Sequence, residues 1–141
     1  MITVEEAKKY TLSKNFTLWE FLESEKSEEL GYMDMQMAIP EKYILNLKRL
    51  CENVLQPIRD KVGAMTITSG YRCPALNAAI NGSKTSDHMQ GKAADWRCSN
   101  MGKAWRIALG LEFKQLIKYG NFWFIHTSYD EFEKRKQVLF K

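Results

Sequence analysis

From Pro40 onward the chain is written for one long amphipathic helix. Ile44, Leu47, Leu50, Cys51, Val54, Leu55 and Ile58 recur at three- and four-residue intervals, the period of a single apolar helical face. A stripe of that length needs an apolar surface to cover it, so the element is expected to be the central buried helix, with Lys48, Arg49, Glu52 and Asp60 on its solvated side. After Gly63 the pattern changes. Met65-Thr66-Ile67-Thr68 is short and β-branched and reads as a strand ending at Ser69-Gly70, and Ala93 to Cys98 reads as a second. Phe113 to Ile117 and Trp123 to Tyr129 read as two more strands around a turn at Gly120-Asn121, and Val138 and Phe140 suit a last edge strand. Helices first and strands later predict an α+β domain, N-terminal helices packed on a small, mostly antiparallel sheet.

The remaining elements are shorter. Thr17-Leu18-Trp19-Glu20 has the spacing of a capping box and predicts a helix reaching about Glu23. Met33 to Met37 reads as a methionine-rich connector ending at Pro40, its adaptable side chains filling gaps. Pro74 to Ile80 suits a short helix followed by a loop at Asn81-Gly82-Ser83-Lys84, and Met101 to Leu109 a helix capped by Asn100 and Gly110. With 141 residues the chain has the length of a single domain, 1–141, in which residues 1–14 are expected to be loosely ordered.

Hydrophobic content of 45% and charged content of 27% exclude wholesale disorder. The net charge of +4 comes from scattered residues, with one cluster at Glu133-Lys134-Arg135-Lys136. Nucleic acid is not an expected partner, because its recognition needs a longer basic stripe with interleaved aromatics. A mild positive charge is compatible with an anionic polymer such as a bacterial wall. Cys51, Cys73 and Cys98 form neither a C-x-x-C pair nor a zinc-ribbon spacing, and read as small apolar residues in a protein made in a reducing compartment. No basic and apolar leader opens the sequence and no run of eighteen apolar residues interrupts it, so synthesis in the cytoplasm and no membrane insertion are expected.

Only two histidines are present. His88 precedes Asp95 by seven residues across Gly91, too far for one helical face and suited to a loop that turns back into a strand. His126 lies in the late strand, sharing a face with Phe124 and Ser128, while Asp95 shares a face with Ala93. If the two strands are neighbours, the three side chains meet. Two readings of that meeting stay open on spacing alone. One is a hydrogen-bonded His–Asp pair; the other is a three-ligand site for a divalent metal with an open coordination position for a reacting water.

Three motifs in order carry a resemblance. Thr68-Ser69-Gly70-Tyr71-Arg72, then Ser86-x-His88-x-x-Gly91-x-Ala93-x-Asp95, then Trp123-Phe124-Ile125-His126-Thr127-Ser128-Tyr129 resemble the zinc D-Ala-D-Ala carboxypeptidase family. That family also includes phage L-alanyl-D-glutamate endolysins and vancomycin-resistance D,D-dipeptidases. Gln115-Leu116-Ile117 and the tail Arg135-Lys136-Gln137-Val138-Leu139 further resemble its compact phage and prophage branch, and the likeness runs from about Asn15 to the end. The resemblance implies a fold shared with the hedgehog signalling domain and one Zn2+ bound by His88, Asp95 and His126. It implies that Arg72 holds the oxyanion or a substrate carboxylate, where alone the residue would read as a surface ion pair. Ser86 matches the motif serine positioned to hydrogen-bond substrate, and reads equally as a turn serine. The implied activity is hydrolysis of an amide next to a D-amino acid, with peptidoglycan stem peptides as partners.

The pattern breaks at the general base. Many family members carry Glu or Asp three residues before the final histidine, and here that residue is Trp123. An acid just after Gln-Leu-Ile is the other family placement, and Lys118 and Tyr119 stand there. Asp130 and Glu131 follow the strand and are not aimed at His126 by its period, Asp87 is expected to point away from the site, and a phenol such as Tyr119 is a poor base at neutral pH. The base is therefore unassigned. A non-catalytic zinc-containing wall-binding domain is the competing reading, and a metal-free structural His–Asp pair the third.

Overall fold

The computed structural model describes residues 1–141 as an α+β protein. Its helices are α1 (Val4–Lys9), α2 (Trp19–Leu22), α3 (Glu25–Leu30), α4 (Met33–Met37), α5 (Glu41–Leu50), α6 (Gln56–Val62), α7 (Pro74–Ala79) and α8 (Met101–Leu109). Strands β1 (Thr11–Ser13) and β2 (Phe16–Thr17) form a small hairpin. Strands β3 (Met65–Ser69), β4 (Ala93–Cys98), β5 (Gln115–Tyr119), β6 (Phe124–Ser128) and β7 (Gln137–Phe140) form the main sheet in the order β3-β4-β6-β5-β7. All its pairings are antiparallel except the edge pair β5-β7.

The helical stripe sets the core. Every residue of the stripe from Ile44 to Ile58 is buried, and it packs in one cluster with Trp96, Leu116 and Ile125 from the covered face of the sheet. The helix is not uniform along this run. Pro57 has no N–H to donate and its ring crowds the carbonyl four residues back. Between α5 and α6, at Cys51–Leu55, the backbone widens to a π turn in which the Gln56 N–H bonds the Cys51 carbonyl, so the axis continues through the proline. Trp96 completes the sheet side, its indole Nε1–H donating to the Thr127 hydroxyl at 3.0 Å.

Several expectations are corrected. Residues 1–14 are ordered: Thr3 caps α1, Ala7 and Leu12 are buried in the core, and Gln56 clamps Ser13 and Asn15. Two apolar side chains in so short a stretch are enough to tie it down once the helical stripe offers a surface. The Met33–Met37 segment is a helix, not a connector, and α3 before it ends at Gly31 in the left-handed conformation. The capping box at Thr17 is half made: Glu20 accepts from the Thr17 N–H at 2.7 Å, while the helix itself starts one residue later than the box requires, at Trp19. The third strand extends past Ile117 to Tyr119, which matters for the site.

Gly91 ends a 3₁₀ turn at Asp87–Gln90 with φ of 69°, and a Cβ there would collide with the Tyr43 carbonyl. Backbone strain and overlap act together at this position. Gly91→Ala is expected to destabilise the fold by about 2–4 kcal/mol, read as a lowered thermal midpoint. An unchanged midpoint would show that the turn relaxes freely.

Candidate functional site

The sheet register brings the sequence-predicted residues together. Asp95 on β4 lies directly opposite His126 on β6, and Ile117 on β5 lies opposite His126 from the other side. His88 arrives from the 3₁₀ turn and is held at both ends. Its backbone N–H donates to the Ser86 hydroxyl at 3.2 Å, and its ring Nδ1 lies 2.7 Å from the Gly70 carbonyl. A carbonyl only accepts, so Nδ1 carries a proton, and Nε2 faces the Asp95 carboxylate, 3.4 Å away. His126 Nδ1 lies 2.8 Å from the same Asp95 oxygen.

Three donor atoms, one from each residue, all lie within 4.8 Å of one another and could hold a metal ion. Ligands about 2.0–2.2 Å from a tetrahedral centre stand near ~3.4 Å apart, so the His88–Asp95 separation already fits and the His126–Asp95 hydrogen bond is the contact a cation would replace. Two imidazoles and one carboxylate are a donor set found in catalytic zinc sites. Burial alone would push the Asp95 carboxyl up, but the hydrogen bonds from His126 and His88 outweigh it and hold the group well below the usual carboxylate range. It is an anion at any working pH.

Arg72 stands beside this cluster, its guanidinium 3.6 Å from the second Asp95 oxygen. Nε donates to the Ser69 hydroxyl at 3.2 Å and another guanidinium nitrogen to the Asn77 side-chain oxygen at 3.4 Å, so the fork is aimed before any ligand arrives. It is not a surface ion pair: the side chain is largely buried, and burial pulls its pKa down against the opposing charge of Asp95.

Two positioning residues gave no sequence signal. Gln36 lies fully buried in α4, donates to the carbonyls of Leu22 and Tyr71 and accepts from the Cys73 N–H, clamping the backbone on both sides of Arg72. Asn77 bridges Arg72 to the Ser83 carbonyl. A lone Gln among methionines and a lone Asn in a short helix become informative only once the chain is folded.

The cluster opens into a cavity of about 610 Å³ lined by Arg72, Ser86, Asp87, His88, Asp95, Lys114, Tyr119, His126 and Arg135 among others. Asp87, expected to point away, lines this cavity. In a 3₁₀ turn neighbouring side chains are not sent to opposite faces as in a strand, and Lys114 holds the Asp87 carboxylate at 2.9 and 3.1 Å. Asp130 and Glu131 do turn away, to Lys92 at 2.8 Å and Arg49 at 3.7 Å in a separate cleft. Tyr119, on the same face of β5 as Ile117, lines this cavity with its ring stacked on Phe124 at 4.4 Å. Burial, then the Asp95 charge, pushes its phenol up. Apart from Asp95, the only Asp or Glu on the cavity wall is the lysine-bound Asp87.

No helix is long and apolar enough to cross a membrane. Comparison with curated proteins returns no match. A sequence model of the peptidase M15 family, by contrast, matches residues 14–128, from the turn of the β1-β2 hairpin through the last residue of β6 and including His88, Asp95, His126 and Arg72. With well over half of its length matched, the chain belongs to the peptidase M15 family.

Proposed function

We propose that the protein is a zinc-dependent peptidase that hydrolyses an amide next to a D-amino acid in bacterial peptidoglycan stem peptides. The observation that carries this reading is the convergence of His88, Asp95, His126 and Arg72 on one wall of an open cavity. Zinc held by the two imidazoles and the carboxylate would polarise the scissile carbonyl and acidify a water at its open position.

The chain's own groups supply the rest. Asp95 neutralises part of the bound charge and anchors both rings. Arg72, always charged and held by Ser69 and Asn77, offers its fork to the oxygen on which negative charge develops, or to a substrate carboxylate. The Ser86 oxygen already accepts from the His88 N–H, so its own proton is free for a substrate carbonyl. Arg135 on the cavity wall, paired only with the half-exposed Glu133 at 3.5 Å, suits a carboxylate-bearing peptide. The Tyr119 phenol stays protonated at neutral pH and acts there as a hydrogen-bond donor. The likeness of the Gln115–Ile117 and Arg135–Leu139 segments supports placement in the compact phage and prophage branch, as a lysis enzyme.

One observation favours a second reading, a wall-binding domain without turnover: Tyr119 and Trp123 occupy the two family positions for the acid, and Asp87 is committed to Lys114. The deciding experiment incubates zinc-loaded protein with purified peptidoglycan and with synthetic stem pentapeptide, measuring released amines and identifying products by mass. New amine from the terminal D-Ala-D-Ala amide marks a carboxypeptidase, and from the internal L-Ala-D-Glu amide an endolysin. Stoichiometric zinc with no new amine in either substrate would sink the peptidase reading in favour of the binding domain.

A further inference from the structure

Trp123 is 70% exposed, an unusual state for an indole, and lies beside the metal cavity. Its orientation is built. The turn from β5 to β6 puts Gly120 at φ of 57°, and a Cβ there would fall on the indole, 2.5 Å from Cε2 and closer to Cδ2. Only glycine lets the ring lie flat against the backbone at this point. A hydrogen bond from the Trp123 N–H to the Tyr119 carbonyl, 3.0 Å, fixes the turn beneath it. One ring face is thus seated on the main chain while the side chain stays largely open to solvent.

The open side borders a second cavity of about 430 Å³ lined by Thr68, Asp95, Arg97, Trp123 and Phe124. Asp95 and Phe124 also line the first cavity, so the two spaces adjoin at these residues. Strand alternation places Arg97 on the same face of β4 as Asp95. Arg97 takes part in none of the protein's ion pairs, and no side-chain hydrogen bond engages the Thr68 hydroxyl, although both are exposed at this wall.

We infer that Trp123 is a sugar-stacking platform that receives a pyranose ring of the glycan strand while the attached peptide lies across the metal cavity. The chemistry of the wall selects this occupant. A pyranose offers a face of C–H groups to the indole and a rim of hydroxyls to Thr68 and Arg97, whereas an apolar side chain would cover the ring and leave those polar groups without partners. The inference rests on peptidoglycan being the substrate, and it assigns specificity to the residue that stands where many family members carry an acid.

The test titrates zinc-loaded protein with N-acetylglucosaminyl-N-acetylmuramic acid, which has no peptide to cleave, and in parallel follows cleavage of the free stem pentapeptide. Saturable disaccharide binding that weakens at least about tenfold in Trp123→Ala, and less in Trp123→Phe, is the expected result. Phe132→Ala, an exposed aromatic bordering the separate Asp130 cleft, serves as the control and should bind the disaccharide like the wild type. Gly120→Ala, which keeps the indole but displaces it, should weaken disaccharide binding as Trp123→Ala does. No disaccharide binding, or equal binding in wild type and Trp123→Ala, overturns the platform; if the pentapeptide is still cleaved, the peptidase reading stands without it. Loss of pentapeptide turnover with unchanged disaccharide binding in Trp123→Ala assigns the ring to peptide side chains and also overturns it. Disaccharide binding with no cleavage of either the pentapeptide or whole peptidoglycan upholds the platform and removes the peptidase.

Discussion

Replacing Asp95 with asparagine is expected to lower zinc affinity by more than about 100-fold and to reduce hydrolysis of wall peptides to background. Loss of an outer-shell partner already costs about 10–100-fold in metal affinity, and Asp95 is the one group that touches both imidazoles. Asparagine keeps the volume and one oxygen but removes the charge that offsets a divalent cation. It also leaves the largely buried Arg72 without its carboxylate partner, so the fork aimed at the developing oxyanion loses its fixed direction. Zinc per chain by elemental analysis, measured beside amine release, checks the first part, and circular dichroism checks that the sheet persists. A variant with stoichiometric zinc and wild-type hydrolysis would show that Asp95 is not a zinc ligand.

Tyr119→Glu is expected to raise kcat on stem peptides by about 10²–10⁴-fold, the usual contribution of a positioned general base. The position follows from the register: Ile117 faces His126, and Tyr119, two residues on, shares its face and lines the metal cavity. A carboxylate there is a base at neutral pH, which a phenol with a raised pKa is not. The stacked Phe124 contact is lost, at a cost of about 0.5–1.5 kcal/mol, small beside the expected gain in rate. Single-substrate kinetics on purified stem peptide decide the matter: a rise in kcat with KM little changed supports a site short of its base, and no rise places water activation elsewhere.

These two outcomes separate what the competing readings share from what divides them. Both the peptidase and the binding domain need the Asp95 cluster, and an acid at 119 tests whether the absent base is what limits turnover. Trp123 belongs to neither argument if it is only a lost acid, but its seat over Gly120 is that of a residue with a place of its own.

The helical stripe from Ile44 to Ile58, the strand at Ala93–Cys98 and the capped helix after Asn100 were legible in the sequence, because period and caps are local properties that tertiary contacts here only reinforce. The three converging side chains were legible as candidates, since a chain with two histidines offers few alternatives. Asp87 was misjudged because a 3₁₀ turn does not follow strand alternation, and Met33–Met37 because a five-residue helix has too few turns to display a period. Gln36 had no signal at all: its three hydrogen bonds go to backbone groups at least fourteen residues away in the chain.

By itself the sequence marked the long helix, the later strands and the three candidate residues His88, Asp95 and His126, whose spacing left metal ligation and a hydrogen-bonded pair both open. Only the tertiary structure decided that Asp95 and His126 are paired across β4 and β6, that Arg72 is pinned toward them, and that Tyr119 occupies the wall where a base would stand. Those facts depend on strand order and register, which long-range burial sets, and a one-residue slip in either strand would send the same side chains to opposite faces of the sheet.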